Sequence, residues 1–400
     1  MKDKFYNFFT VIGEYSFYGL LFFLAISNAL VEIFVSLAIF GFIGRKAIRP
    51  DFKYFKSWPN LFLLLFLFFS ALSLFNSGTY IKISLNALFG KWMQYLGICI
   101  IIQDGIYNQK IIKRGMFTFL FGATLAVLSG LSQYFFNIEF LRNRSTSTLS
   151  SGLRAATSSF NHYNDLGGYL VVILSFVSAL LLSNNFFRIK TIGLSILAIL
   201  STVVIIFTFS RGSWLAMFIS FIFMVILSGK NFKLLIPVFL IAIILFLFPM
   251  FHERLLFTFK EGGDSDRFRY WLVAWKMIND HPFLGIGMGT FMANFSKYLP
   301  GINAAYAHNC YLQIWAETGI FSLISFMLFV SSFIYLGIKK FLVSKSFLLL
   351  GLLSGVIGFL VQSFFDTNLY SLRLAVLFWV WVGLILVRIY LVGPSITKKC

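Results

Sequence analysis

Residues 320–336 read IFSLISFMLFVSSFIYL, an uninterrupted apolar run closed by Lys339-Lys340. Traced back to His308, the stretch holds one charged residue, Glu317. About 20 such residues, as a helix, match the roughly 30 Å hydrocarbon core of a bilayer. A helix apolar on all sides needs lipid or a large core around it. Outward from this run the pattern repeats. The 400-residue chain is 59% hydrophobic and only 12% charged, with a mean hydropathy of +0.87. A soluble fold of this size could not hide that much apolar surface. The fold class is therefore all-α: a polytopic membrane helix bundle, in which helices satisfy their own backbone hydrogen bonds.

About 12 spans are expected, near 11–27, 28–44, 60–76, 91–105, 114–135, 165–183, 190–208, 211–228, 232–251, 308–336, 346–365 and 372–392. The first two form one apolar stretch, split at Ser27-Asn28 because it is too long for a single span. The chain reads as one integral membrane domain, 1–400, with a large outer loop at 252–307 inside it.

The formal charge of +19 raises the idea of a nucleic-acid partner, but the distribution of the basic residues excludes it. Lys and Arg gather in alternate loops. The inner ones carry Lys2 and Lys4; Arg45, Lys46, Arg49, Lys53 and Lys56; Lys110, Lys113 and Arg114; Arg188 and Lys190; Lys230 and Lys233. The last set is Lys339, Lys340, Lys345, Arg388, Lys398 and Lys399. These are 20 of the 33 basic residues, which places both ends in the cytoplasm by the positive-inside bias. Cys99, Cys310 and Cys400 have no disulfide or metal-like spacing. The first apolar run follows Lys2 and Lys4 without a small-residue cleavage site, so no cleaved leader is expected.

Two outer segments are long, and long loops in a compact chain usually carry function. Residues 136–164 contain Arg142, Arg144 and Arg154 almost without opposing acid. Residues 252–307 contain Arg254, Arg267, Arg269, Trp271, Trp275 and a Gly-rich stretch. Basic residues on the outer face run against the orientation bias, so an anionic ligand is expected there.

Four short constellations could carry chemistry. In Thr208-Phe209-Ser210-Arg211-Gly212-Ser213-Trp214, Arg211 stands at a helix start, where free N–H groups and the dipole favour an anion. Its planar fork suits phosphate or carboxylate; an arginine snorkelling to headgroups is the plainer alternative. In Asp266-Arg267-Phe268-Arg269-Tyr270-Trp271, residues 267–279 fit an amphipathic helix with Trp271 and Trp275 four apart. It is followed by His281-Pro282-Phe283-Leu284-Gly285-Ile286-Gly287-Met288-Gly289, a close-packed turn. No strand flanks these glycines, so a nucleotide site is not indicated. In Ala307-His308-Asn309-Cys310-Tyr311-Leu312-Gln313, a helix would stack Asn309, Gln313 and Glu317 into a polar stripe below His308. A carboxylate about two turns into the bilayer, such as Glu317, is a functional candidate, with helix packing as the alternative. In Phe160-Asn161-His162-Tyr163-Asn164-Asp165, either Asn164 or Asp165 could be a helix N-cap. Asp366, Asn368 and Arg373 in the last outer turn are equally open.

These four blocks, in this order and spacing, resemble the O-antigen ligase and polymerase superfamily, bacterial inner-membrane glycosyltransferases with a GT-C type of membrane fold. The likeness rests on residues 155–320, and the twelve-span plan extends it along the chain. The resemblance implies a periplasmic site, an undecaprenyl-diphosphate-linked glycan donor, and lipid A–core or another glycan as acceptor. It implies that Arg211 and Arg267 hold the diphosphate and stabilise the leaving charge, and that His308 is general base or orienting group. Arg142, Arg144, Arg154, Asn164, Arg269, Asn309, Tyr311, Gln313 and Glu317 are the expected substrate contacts. No cofactor is implied, and a metal-independent, inverting transfer is expected. Membrane lipids are the surrounding partner. Ligase is favoured over polymerase because the motifs look most like ligase sequences. A secondary transporter for an anionic solute is the rival from another class. It predicts charges near mid-membrane on several helices, where the chain offers mainly Glu32 and Glu317.

Overall fold

The computed structural model describes residues 1–51, 56–106, 108–149, 152–183, 188–230, 247 and 265–390. The expected span at 232–251, apart from residue 247, lies outside them. So do Lys53, Lys233, Arg254, Lys398, Lys399, Cys400 and the side chains of Arg188, Lys190 and Asp266.

The described chain is almost entirely helical: α1 (Lys2–Phe23), α2 (Asn28–Ile48), α3 (Trp58–Leu72), α4 (Ile81–Ala87), α5 (Met93–Gly105), α6 (Gln109–Phe136) and α7 (Tyr163–Leu181). It continues with α8 (Arg188–Phe207), α9 (Arg211–Ser228), α10 (Ser265–Asp280), α11 (Phe291–Tyr298), α12 (Cys310–Ser344), α13 (Phe347–Gln362) and α14 (Leu372–Tyr390). Among the described residues seven helical stretches are long and apolar enough to cross a membrane, and 191–207 and 347–362 are shorter apolar helices. This is an all-α, multi-pass membrane protein. The only sheet among the described residues is a two-residue antiparallel pairing of β1 (Ser147–Thr148) with β2 (Arg154–Ala155).

The chain turns between Phe23 and Asn28, as the split at Ser27-Asn28 anticipates; extended Ser27 is the N-cap of α2. Elsewhere the boundaries move. The first helix begins at Lys2, because a polar, exposed first turn needs no lipid. The expected span at 91–105 lengthens to Gly78–Gly105, the added turns coming from α4 and a π-turn at Leu88–Trp92. The outer loop expected at 252–307 contains two helices, α10 and α11, in its described part.

Helix α14 is the hub. Every residue from Arg373 to Val387 is buried, and it packs on α5, α12 and α13. Helix α13 in turn lies against α7 and α9. Small residues allow this approach: a Cβ at Gly355 or Gly358 would press on Val172 or Val171 of α7. In lipid, where apolar surface alone does not drive helices together, such close contact supplies the association energy.

Candidate active site

Three helices begin at the same end of the bundle: α7, α9 and α12. Their first turns converge on the 362–368 connection between α13 and α14. Gln362 Nε2 donates to the Asn164 carbonyl and to Ser213 Oγ, each at 2.9 Å, tying α7 to α9. The Cys310 N–H donates to the Ser363 carbonyl at 2.8 Å, tying in α12. Gly212 abuts Phe365, since an added Cβ would lie 3.0 Å from its side chain. Three helix N-termini around one loop gather partial positive charge where an anion would be favoured.

His308 stands just ahead of α12. Asn309 is the N-cap, its Oδ1 accepting from the N–H groups of Tyr311 and Leu312 at 3.0 Å each. That leaves His308 with φ of 48°, in the left-handed region, a conformation unusual for a non-glycine residue and often found at functional sites. His308 Nδ1 lies 3.1 Å from Asp366 Oδ1. A carboxylate only accepts, so the proton sits on Nδ1 and the Nε2 lone pair is the basic one when the ring is neutral. The His308 side chain is 30% exposed and that of Asp366 13%, so the ring is reachable while its partner is sheltered. Asp366 Oδ1 also accepts from its neighbour Thr367 N at 2.8 Å, which fixes the carboxylate.

Two further groups address this pair. Arg267, in the first turn of α10, and His162, N-cap of α7, both act electrostatically on Asp366. Burial would raise the Asp366 carboxyl, but the hydrogen bond and charge of His308, then Arg267 and His162, hold it well below the usual carboxylate range. His162 is pushed down, first by burial and then by His308 and Arg267 against the pull of Asp366. Its Nδ1 accepts from Asn164 N at 3.2 Å, the role the sequence had offered to Asn164 or Asp165. Histidine takes it because the Asn164 and Asp165 side chains are drawn inward by the neighbouring helices. Tyr270 completes the wall, its ring 5.9 Å from that of His308 and 5.7 Å from Phe295 of α11.

Glu317 lies elsewhere. Its carboxylate, 1% exposed, accepts from Gly289 N at 2.9 Å, Phe291 N and Gln313 Nε2 at 3.3 Å, and Tyr370 OH at 3.1 Å. It thereby pins the glycine turn and the start of α11 to α12. Gly319 breaks the helix beside it with φ 81° and ψ 172°; a Cβ there would meet the Phe283 carbonyl at 1.9 Å. The turn is locked from its other side by Asn76 Nδ2 on the Gly285 carbonyl at 2.9 Å.

The other expected residues divide. Gln313 also accepts from Ala307 N at 3.2 Å, and Tyr311 OH donates to the Leu360 carbonyl at 2.8 Å. The anticipated stripe therefore forms between Gln313 and Glu317, while Asn309 turns to cap its own helix. Arg211 is half-buried on the first turn of α9, and Arg269 is exposed on α10. Arg142 and Arg144 are electrostatic neighbours of Arg373, which is 4% exposed and donates to Ser159 Oγ and its carbonyl at 3.0 and 2.9 Å. Asp165 connects this basic region to the histidine pair, since it senses both Arg373 and Asp366. Arg154 is exposed on β2 and belongs to neither group. The loop bearing Arg142 and Arg144 is folded round Glu139, which accepts from Leu141, Arg142 and Arg144 N–H and from Ser129. Burial raises that carboxyl, but these donors outweigh it and hold it below its ordinary value.

His162 and Arg373 were visible as residue types but had no assignable role, because nothing local says which helix starts will meet. A partly exposed histidine–carboxylate pair, with Arg267 acting on it, therefore sits where three helices of the apolar bundle begin. Residues 196–327 match the family model described as O-Antigen ligase, a segment that includes Arg211, Arg267, the glycine turn and His308. This third of the chain is thus similar to the O-antigen ligase family, whose members are glycosyltransferase-like enzymes. No curated protein matches it.

Proposed function

We propose that this protein is an O-antigen ligase of the bacterial inner membrane, working on the periplasmic face with both termini in the cytoplasm. The whole chain acts as one membrane domain. It transfers a glycan from undecaprenyl diphosphate to a sugar hydroxyl of lipid A–core. The observation that carries this reading is the His308–Asp366 pair at 3.1 Å, open to a ligand and faced by Arg267.

The acceptor hydroxyl attacks the anomeric carbon while His308 Nε2 removes its proton, Asp366 holding the ring in the required tautomer. The new carbon–oxygen bond forms opposite the bond to phosphate, which breaks with its electron pair passing to the diphosphate. Arg267 and Arg211 balance that departing charge. Attack from the far face inverts the anomeric centre, and the arginines supply the charge a metal would otherwise provide. Among the described residues Arg267 has no hydrogen-bond partner, so its fork is not committed inside the fold. Glu317, with four internal donors, positions the glycine turn.

The test is the surface glycan of a deletion strain, complemented with wild type or His308→Ala. Loss of all polymer from lipid A–core, with polymer kept on the lipid carrier, supports the ligase reading. Lipopolysaccharide bearing a single repeat identifies a polymerase instead. An unchanged glycan removes the protein from this pathway and favours a transporter.

A further inference from the structure

At the end of the bundle away from His308, a cavity of about 1060 Å³ opens between α6, α7, α8 and α13. It is remote from the candidate active site: Gly319 to Lys345 of α12 alone spans about 39 Å at 1.5 Å per residue. Its walls are apolar, with Leu120 and Val127 of α6, Phe176 of α7, and Leu197 and Leu200 of α8. Along α6 its lining runs from Gln109 to Leu128, about 28 Å, against roughly 15 Å for one leaflet's hydrocarbon. The groove is thus long enough to take an extended acyl chain.

Its mouth has a different chemistry. Lys113, Lys340, Lys345 and Arg388 all line it, and among the described residues no carboxylate does. Among the described residues none of the four forms an ion pair with an acid. Arg388 is braced by a 3.0 Å hydrogen bond to Ser346 Oγ. Ser344, also in the lining, keeps its Oγ buried without a hydrogen-bond partner. A polar oxygen left unpaired in such a place is costly unless something fills the site. A soluble anion would satisfy the cations but leave the apolar wall empty, whereas a neutral lipid would do the reverse.

We propose that this cavity is a binding site for an anionic glycerophospholipid of the inner leaflet. The headgroup phosphate sits among Lys113, Lys340, Lys345 and Arg388, near Ser344 Oγ, and one acyl chain lies in the groove. Four unneutralised cations at the membrane surface each favour an anionic lipid, and the groove converts that attraction into a defined site. The proposal stands apart from the glycosyl-transfer reading.

Native mass spectrometry of the full-length protein in detergent, titrated with dioleoyl phosphatidylglycerol or dioleoyl phosphatidylcholine, tests it. Phosphatidylglycerol should bind at least about tenfold more tightly, and the Lys340→Gln/Lys345→Gln variant should lose most of that preference. Gly193 lines the groove with open space at its Cβ position, so Gly193→Trp should fill it and abolish the tight adduct with every cation retained. Leu194→Trp is the second blocking variant, and an unchanged thermal midpoint shows that either remains folded. Equal binding of the two lipids by wild type overturns the proposal. So does an adduct that survives both Trp variants while depending on the lysines, which is surface adsorption. A polyprenyl phosphate that outcompetes phosphatidylglycerol assigns the groove to a different lipid and likewise overturns it.

Discussion

His308→Ala is expected to lower turnover by about 10²–10⁴, the usual contribution of a general base, or about 3–5 kcal/mol in activation free energy. Alanine also inherits a left-handed backbone, φ 48°, that it tolerates poorly. His308→Asn is the cleaner perturbation, because asparagine accepts that conformation and offers no comparable base. Both variants should be equally slow, with donor affinity little changed. For Asp366 the magnitude follows from the contact itself. A net hydrogen bond to a charged group contributes about 1.5–3 kcal/mol and a neutral one about 0.5–1.5. Asp366→Asn retains a bond of similar geometry to Nδ1 without the charge, a difference of about 1–1.5 kcal/mol, or roughly five- to fifteenfold in turnover. The two residues act as one unit, so the double variant should be no slower than His308→Asn alone. The assay is purified protein in lipid nanodiscs with lipid-diphosphate donor and glycan acceptor, scoring product formation and donor binding separately. Normal turnover of His308→Asn would refute the base. Losses that multiply in the double variant would refute the coupling, and lost donor affinity would move His308 into the diphosphate site.

Arg211→Ala and Arg267→Ala should each reduce transfer by about 10²–10³ in membranes containing normal amounts of protein, with Lys a poor substitute for the planar fork. Full activity of both would send the diphosphate to Arg142, Arg144 or Arg154. Gly319→Ala should lower the yield of folded protein sharply, because the Cβ would meet a carbonyl at 1.9 Å; a normal melting profile in detergent would show that the kink is not needed. The lowered Asp366 carboxyl stabilises the fold fully above its unfolded value of about 4 and loses that contribution as pH falls through the lower folded value. The thermal midpoint of wild type should therefore approach that of Asp366→Asn only below about pH 4, and convergence between pH 8 and 5 would contradict this assignment. Reporter fusions after Lys56, Lys113, Lys190, Lys233 and Lys345 should read cytoplasmic, and those within 137–160 and 255–300 outer; a cytoplasmic 255–300 would end the periplasmic mechanism.

Asp366 illustrates where sequence reading stops. It lies 58 residues from its partner, in a turn also containing Asn368 and Arg373, and no local pattern separates a catalytic partner from a helix cap. Glu317 runs the other way. An acid inside an apolar run invites a functional reading, but the four donors that surround it come from residues as far apart as Gly289 and Tyr370. In the sequence His162 is only a histidine between Asn161 and Asn164 at the entry to α7. Its capping bond and its place beside Asp366 depend on how α7 meets α13, through Gln362.

What the residues settle unaided is whatever follows from burial in lipid. Runs of about 20 apolar residues must be helices, because a bilayer leaves the backbone no other partners. Basic loops give those helices an expected orientation, and Gly285, Gly287 and Gly289 announce a close-packed turn. The tertiary structure alone decides which helix ends meet. In a bundle whose apolar surfaces are nearly interchangeable, pairing depends on small-residue contacts and buried polar bonds between distant segments. The His308–Asp366 pair, the arginine beside it and the basic, apolar-walled groove at the opposite end all arise from that pairing.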